Sequence, residues 1–428
     1  MLLSHCPDGR GGRFILLMAG LIALSLGSSS SLHAQTLDLD ELISRAEASN
    51  PSLHISKRMA DVAESDLPLA TSLPSPRINL SFFPYPIFTA RGSQRSRLLL
   101  EQSIPLPGTR RIRGRIVETE VRSAELLTEA LRADLKLSVT EAYDELYQAQ
   151  EMLLLIGAFS KELARFENAA LVQYEVGRES ISPVLNIQNE LRSLLLHEKQ
   201  VEERRITAIR KLAVLVDGSV EISSDSYVAE RHLTPIGRES LAELKAEALG
   251  ARPLMAALDQ SLQKSELAVM LAKRETFPEL NLGLEYADIA REGFLDRGDG
   301  TDALGLKVGI RIPIWSGARK APVERARLEA KQIDDQSRAL ITDISTTVDE
   351  LASLFTSQTE QLTLIAEDLI PRAEFAHETA LSSYTTGNTP YIDVLDTART
   401  LYSLRTQELT TRIRMMLTHA QLERELFR

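Results

Sequence analysis

The sequence predicts an α+β membrane protein. It is a long antiparallel α-helical barrel continuous with a transmembrane β-barrel, four strands per chain and twelve in a trimer, built on an internal two-fold repeat. Three observations predict it. The stretch YEVGRESISPVLN at 174–186 returns as YTTGNTPYIDVLD at 384–396, 210 positions later. At a second offset, of 202, Glu41, Leu42, Ala46 and Pro51 meet Glu243, Leu244, Ala248 and Pro253. Ten of forty ungapped positions are identical there, where roughly two or three would arise by chance between unrelated stretches. Finally, short alternating runs of apolar residues precede stretches of good helix formers far longer than a compact domain needs.

The elements follow in order. Arg10 and Arg13, the apolar run at 14–26 and the small residue Ala34 describe a secretory signal peptide over 1–34. Its apolar run of 13 residues is too short to span a bilayer. The first structural repeat, 35–216, opens with a helical segment over about 38–72 and continues with a β-hairpin at 77–104. Ile78, Leu80 and Phe82 alternate onto one face; the returning run is less regular because Leu98 to Leu100 are contiguous. From Arg110 to Tyr174 there is no proline, and 65 residues at about 1.5 Å each make a rod of roughly 100 Å. A return helix covers 182–216, and 217–237 reads as an equatorial insertion beside the rod.

The second repeat, 238–428, holds a helix to 275, a hairpin at 279–313, a long helix at 320–384 and a return helix at 391–427. Leu304, Leu306, Val308, Ile310 and Ile312 alternate strictly. Pro322 falls near the start of the long helix, where proline is tolerated, and Pro371 should kink or interrupt it. By length, 182–216 with 238–275 matches one rod, which leaves 391–427 to stack on 38–72.

Composition narrows the partners. The chain of 428 residues carries a formal charge of −11, which argues against nucleic acid, since phosphate binding needs a basic surface. Cys6, the only cysteine, lies ahead of the apolar run and leaves with the leader, so the mature chain needs no disulfide. Seven scattered histidines show no ligand spacing, and no catalytic or phosphate-loop motif is present, so neither an enzyme, a metal site nor a cofactor is expected. The acidic loop at 288–301 does not match a calcium-binding spacing and reads as an external loop between strands. Four strands with one apolar face cannot close by themselves, and an open edge in lipid would strand backbone groups. Three chains supply twelve strands, an allowed barrel size, above a tube of helices.

Several residues stand out at the ends of the rods. Gly177 and Gly387 follow each long helix, where a residue accepting positive φ ends it most easily. Asp393 and Asp396, three apart, share one helical face just after the second turn. They are either solvated acids favoured by the helix dipole or, in three copies, two acidic rings that attract cations. Arg110, Arg111, Arg113 and Arg115 crowd a helix start whose dipole disfavours cations, which calls for a compensating anion, from lipid phosphate or an intersubunit ion pair. Trp315 occupies the equivalent level in the second repeat, in an interfacial aromatic belt or in plain packing.

The two turn motifs, the strand starts PRINLSFF and PELNLGLEY, and the IPLPG and IPIWSG openings resemble the TolC-like outer-membrane efflux proteins over the whole mature chain. The resemblance is nearest to the branch serving resistance-nodulation-division (RND) pumps, heavy-metal exporters among them. It implies a homotrimer in the outer membrane with a long periplasmic extension, joined by a periplasmic adaptor to an inner-membrane pump and acting as a passive exit. It also implies that Asp393 and Asp396 line the channel entrance, that Tyr174 and Tyr384 pack the closed tip, and that the tips at Gly177 and Gly387 meet the adaptor. In members with a latched entrance, an arginine two residues after the second glycine pairs with an aspartate six after the first. Here those places hold Thr389 and Pro183. Two other readings remain at this stage: a periplasmic adaptor-type coiled coil, and the duct of a type I protein secretion system. An adaptor would carry one dominant hairpin, whereas this sequence writes two.

Overall fold

A computed structural model describes residues 36–216, 218, 226–233, 240–291, 300–312 and 316–428. The expected leader, Trp315 and much of the 217–237 insertion lie outside the described residues. The chain runs β1 (Thr36–Leu37), α1 (Leu39–Ser49), α2 (Pro51–Ser65), α3 (Leu67–Thr71), β2 (Arg77–Thr89), β3 (Gly92–Ile104), α4 (Thr109–Glu175) and α5 (Ser182–Leu215). It continues with β4 (Tyr227–Val228), α6 (Leu241–Ala251), α7 (Pro253–Arg274), β5 (Glu279–Ala290) and β6 (Ala303–Arg311). The last helices are α8 (Ser316–Leu364), α9 (Ile370–Thr385) and α10 (Tyr391–Leu426), with a π-helical turn, Ile365–Leu369, between α8 and α9.

Prolines decide where the helices break. The single segment expected over 38–72 is three helices, and the one at 238–275 is two. Asn50 and Arg252 each precede a proline, which excludes them from the helical region, and both are extended, with ψ of 120° and 118°. Each break restarts at once with proline at the first helical position, where its missing N–H costs nothing. Asn50 also accepts from the Ser52 amide at 3.0 Å, and Ser240 with Glu243 forms a capping box that starts α6. Pro371 has no N–H and its ring crowds the carbonyl four residues back. The helix accommodates this by widening to the π turn just before it. α8 starts earlier than read from sequence, so Pro322 lies inside the helix, beyond its first turn.

The sheet is antiparallel, in the order β2-β3-β5-β6. Its register places Ile78 opposite Leu100, Leu100 opposite Leu284 and Leu284 opposite Leu306, so one face is a continuous apolar stripe. That face is bare: Ile78, Phe82, Leu306 and Val308 are 69%, 72%, 88% and 67% exposed. The contiguous leucines resolve simply. Leu98 and Leu100 join the apolar stripe, while Leu99 turns to the other face and packs over Gly283. That opposite face is polar, with Arg97 and Glu285 paired at 3.1 Å and Arg311 and Glu279 at 3.1 Å.

The helices form a single layer. On the sheet side, α2, α4, α7 and α8 are successive neighbours; on the far side α5, α4, α10 and α8 are. Here the structure corrects the stacking expected from length. The α1–α2 break sits on the end of α5: Ser49 Oγ donates to the Val216 carbonyl at 3.1 Å and Asn50 Nδ2 to that of Leu215 at 3.3 Å. The α6–α7 break sits on the end of α10, where Arg252 pairs with Glu425 at 2.6 Å and Arg428 with Glu247 at 2.7 Å. Thus 38–72 stacks on 182–216, and 238–275 on 391–427. The reason is local chemistry: the last carbonyls of α5 have no intrahelical donor, and Ser49 and Asn50 supply donors that 238–275 does not bring there.

At mid-height, β1 and β4 form a two-residue parallel ladder against the middle of α4. Tyr143 Oη donates to the Ala229 carbonyl at 3.0 Å, and the Gln150 side chain donates to Ser226 O and accepts from the Val228 amide. Arg231 reaches between α4 and α10, donating to Asp144 at 3.2 Å and to the Met416 carbonyl at 2.7 Å. This two-residue strand pair was invisible in the sequence, being too short to carry a period.

Candidate functional site

The far end of the helical layer carries two turns, one between α4 and α5 and one between α9 and α10. Both close in the same way. Gly177 N–H donates to the Tyr174 carbonyl at 2.9 Å and Arg178 N–H to that of Gln173 at 2.9 Å. At the second turn, Gly387 and Asn388 make the same pair of bonds to Tyr384 and Ser383, each at 3.0 Å. This is the Schellman arrangement, and it needs positive φ at the residue after the cap. Gly177 has φ +69° and Gly387 φ +82°, with open space where a side chain would stand.

The two tyrosines three residues earlier are not equivalent. Tyr174 is 44% exposed, whereas Tyr384 is 2% exposed and sits edge-on to Phe166 with ring centroids 5.2 Å apart. The Tyr384 hydroxyl donates to Glu179 at 3.0 Å, so it ties the second turn to the first. Burial pushes its ionisation well above the ordinary tyrosine value, and the Glu179 carboxylate beside it pushes the same way. The hydroxyl therefore stays protonated as a donor throughout the neutral range.

Further ties run along α5 and α10. Asn186 Nδ2 donates to Tyr391 Oη at 2.8 Å, His197 lies 3.2 Å from Tyr402 Oη, and Arg399 donates to Glu190 at 2.5 Å. Tyr402 also stacks on Phe159 of α4, centroids 4.4 Å apart and planes 7° from parallel. Sequence reasoning missed Glu179, Asn186, Glu190 and Arg399. A signal existed: Glu179–Tyr384, Asn186–Tyr391 and His197–Tyr402 are all separated by 205 residues. That is five fewer than the turn-to-turn offset of 210, because side chains meet across neighbouring helices rather than at equal depth in the alignment.

Asp393 and Asp396 stand on the exposed face of the first turns of α10, while Val394 and Leu395 between them are buried. Asp393 lies in the first turn, where the helix dipole favours it. Asp396 lies 3.8 Å from Arg399, which it shares with Glu190. Thr389 and Pro183 make no ionic tie, and Pro183 is buried in the first turn of α5. Tyr384–Glu179 is the contact that joins the turns instead.

The arginines lie at the other end of α4, 67 residues and roughly 100 Å away. Arg110 donates to the Thr71 carbonyl at 3.2 Å and Arg113 to Glu275 at 2.9 Å. Arg111 and Arg115 are exposed. The sequence-predicted residues thus fall into two groups at opposite ends of one rod. Among the described residues no helix is long and apolar enough to cross a membrane, and no group of three or more His, Cys, Asp or Glu could hold a metal ion.

Comparison with known proteins agrees with this geometry. Residues 244–426 match the family model described as outer membrane efflux protein. The chain is 23% identical over 388 residues to the cobalt-zinc-cadmium resistance protein CzcC of Cupriavidus metallidurans, covering 88% of this chain and 86% of the relative. It is 24% identical over 431 residues to the outer membrane protein TolC of Vibrio cholerae serotype O1, covering 95% and 94%. The solved structure of CusC superposes with a TM-score of 0.77 at 16% identity, over 94% of this chain and 95% of that one. The second half thus matches the outer membrane efflux protein model, and the chain is similar along both halves to the two relatives.

Proposed function

We propose that the chain is one third of a closed tube: a trimeric outer-membrane channel that gives substrates of a tripartite efflux system a passive exit. In this reading it is coupled through a periplasmic adaptor to an inner-membrane RND pump. The observation that carries it is the sheet. Its order leaves β2 and β6 as edges, its outward face is exposed and apolar, and it continues directly into helices about 100 Å long. Unpaired edges are not tolerated in hydrocarbon, so β6 of one copy pairs with β2 of the next, and three copies close twelve strands. The helical layer supports the same operation. Its flanks, α2 with α5 and α8 with α9, expose Ile55, Met59, Leu196, Ile341, Leu354 and Phe375. Two structural repeats, 35–216 and 238–428, joined by the 217–237 insertion, then contribute equivalent sixths of the wall.

Three copies bring Asp393 and Asp396 together as acidic rings at the periplasmic entrance, with the glycine turns presented to the adaptor. Rings of carboxylates select cations, so a cationic cargo is the class this entrance favours, in keeping with one relative being a cobalt-zinc-cadmium resistance protein. Planar-bilayer recording of the purified mature chain tests the reading. A discrete conductance is expected, with a cation preference that falls when Asp393→Ala and Asp396→Ala are combined. A pore indifferent to the double change would leave the duct and remove the rings. Failure of a folded trimer to insert would favour the adaptor-type structural protein.

The apolar face offers a separate check. Leu306→Arg places a charge on its most exposed leucine, 88% accessible. A cost of about 2–4 kcal/mol is expected if the site lies near mid-membrane. It would be read as reduced insertion into vesicles with helix content in detergent unchanged. Undiminished insertion would show that this face does not meet lipid.

A further inference from the structure

Where the apolar sheet face ends, the chain gathers cations from three helices. Arg110, Arg111 and Arg115 stand at the start of α4, Lys273 at the end of α7 and Lys320 near the start of α8, all exposed. The chain as a whole carries a charge of −11, so this concentration runs against its composition. Many arginines elsewhere on the helices are paired, among them Arg132 with Glu129 at 2.6 Å and Arg424 with Asp134 at 2.6 Å. Among the four arginines at the start of α4, Arg113 alone has a carboxylate partner among the described residues, Glu275 of the α7 end.

The faces of α4 explain the difference. Gly114 packs on Thr71 and Leu67 of α3, and Arg113 faces α7. Arg111 and Arg115, four apart, share the remaining face, and neither has a carboxylate partner among the described residues. Lys273 and Lys320 line one open cleft between α7 and α8 with Thr276, Glu324 and Arg327. Within it Glu324 is engaged by Arg327 at 3.6 Å, and the two lysines have no carboxylate partner among the described residues. Arg110, Arg111 and Arg115 stand at the helix end whose dipole disfavours cations, at about 0.3–1 kcal/mol each, and an external anion among them would offset that cost; Lys273, in the last turn of α7, has the dipole in its favour.

We propose that this belt binds the phosphate headgroups of anionic phospholipids in the membrane leaflet nearest the helices. The inference rests on the sheet lying in the membrane. Acyl chains lying along Ile104, Leu280 and Ile310 bring their headgroups to the level where α4 and α8 begin, because each of those residues is within a few positions of the end of its strand. Each lysine or arginine near an anionic surface strengthens the attraction roughly fivefold. Arg111, Arg115, Lys273 and Lys320 together anchor the tube at a defined depth.

The test is lipid retention by the full mature chain. The protein is inserted into vesicles mixing phosphatidylcholine with phosphatidylglycerol, extracted into mild detergent, and its co-purifying lipid quantified by mass spectrometry. Phosphatidylglycerol should be enriched roughly tenfold or more over phosphatidylcholine, as expected from two or more such contacts. The enrichment should vanish in Arg111→Gln/Arg115→Gln/Lys273→Gln/Lys320→Gln and survive in Arg111→Lys/Arg115→Lys. Equal retention of both lipids by wild type, or enrichment that persists in the quadruple variant, overturns the proposal. Displacement of phosphatidylglycerol by inorganic phosphate alone also overturns it, reassigning the belt to free anions. If wild type enters neither lipid, the membrane reading itself falls; if it inserts and conducts without lipid preference, only the belt does.

Discussion

Replacing Arg231 with methionine is expected to destabilise the helical layer by about 3–5 kcal/mol at neutral pH, the usual cost of removing one partner of a buried ion pair. Asp144 is fully buried on α4, and Arg231, 10% exposed, is the cation that reaches it. Without the guanidinium, the carboxylate stays buried and the Met416 carbonyl keeps only its own helix's donor. His419 and Glu423 on α10 and Glu141 on α4 share the same neighbourhood, and none replaces Arg231. The deficit should depend on pH, with a definite sign. Burial, the largest cause, raises the Asp144 carboxyl above its ordinary value, and Arg231 pulls it back down. A folded-state value above the unfolded one means that the native state holds a proton the unfolded chain has released. The contribution is then fully present below the ordinary carboxylate range and is lost as pH rises through the folded value. Removing Arg231 raises that value further. The gap between variant and wild type is therefore widest at neutral pH and narrows on acidification, since a protonated Asp144 needs no cation. Unfolding midpoints by circular dichroism at several pH values measure it. A gap that does not change with pH would mean that Asp144 is not the group left exposed to the loss. The double change Asp144→Leu/Arg231→Met should recover most of the stability.

Tyr384→Ala is expected to loosen the tip by about 3–5 kcal/mol, because it empties the space against Phe166 as well as cutting the bond to Glu179. Tyr384→Phe removes only the hydroxyl and should cost about 0.5–1.5 kcal/mol. Tyr174→Ala, at a position 44% exposed, should change little. The order of the three is the content of the prediction. In bilayer recordings the resting conductance should rise most in Tyr384→Ala and barely in Tyr174→Ala. Equal effects at both tyrosines would show that the turns are not held through Tyr384–Glu179.

Much of the architecture was legible from residues alone. The alternation of Leu304 to Ile310 marks β6, the proline-free stretch after Arg110 marks α4, and the tyrosine-to-glycine spacing marks both turns. Pro371 was read as an interruption, and it stands just after the π-helical turn. The candidate site was less legible. Asp393 and Asp396 are visible as a pair, but the tyrosines looked equivalent, and only packing against Phe166 makes Tyr384 the structural one. Glu179 gave no local sign, because its partner is 205 residues away.

The sequence by itself determined the type and approximate extent of the long elements, because the two-residue period of a strand and the 3.6-residue period of a helix are set by nearest neighbours; β1 and β4, two residues each, are too short to carry a period. Proline sets the breaks locally, acting on its own turn and the one before, although only Pro371 was read as an interruption and 38–72 and 238–275 were read as single segments. Only the tertiary structure decided which short helix stacks on which long return, placing Asn50 on the end of α5 and Arg252 on the end of α10. It alone set Arg231 between α4 and α10. Those choices depend on which donor meets which terminal carbonyl or buried carboxylate across more than eighty residues of chain. A buried polar group is costly until it finds that partner, so the pairing is settled by the assembled layer and not by any stretch within it.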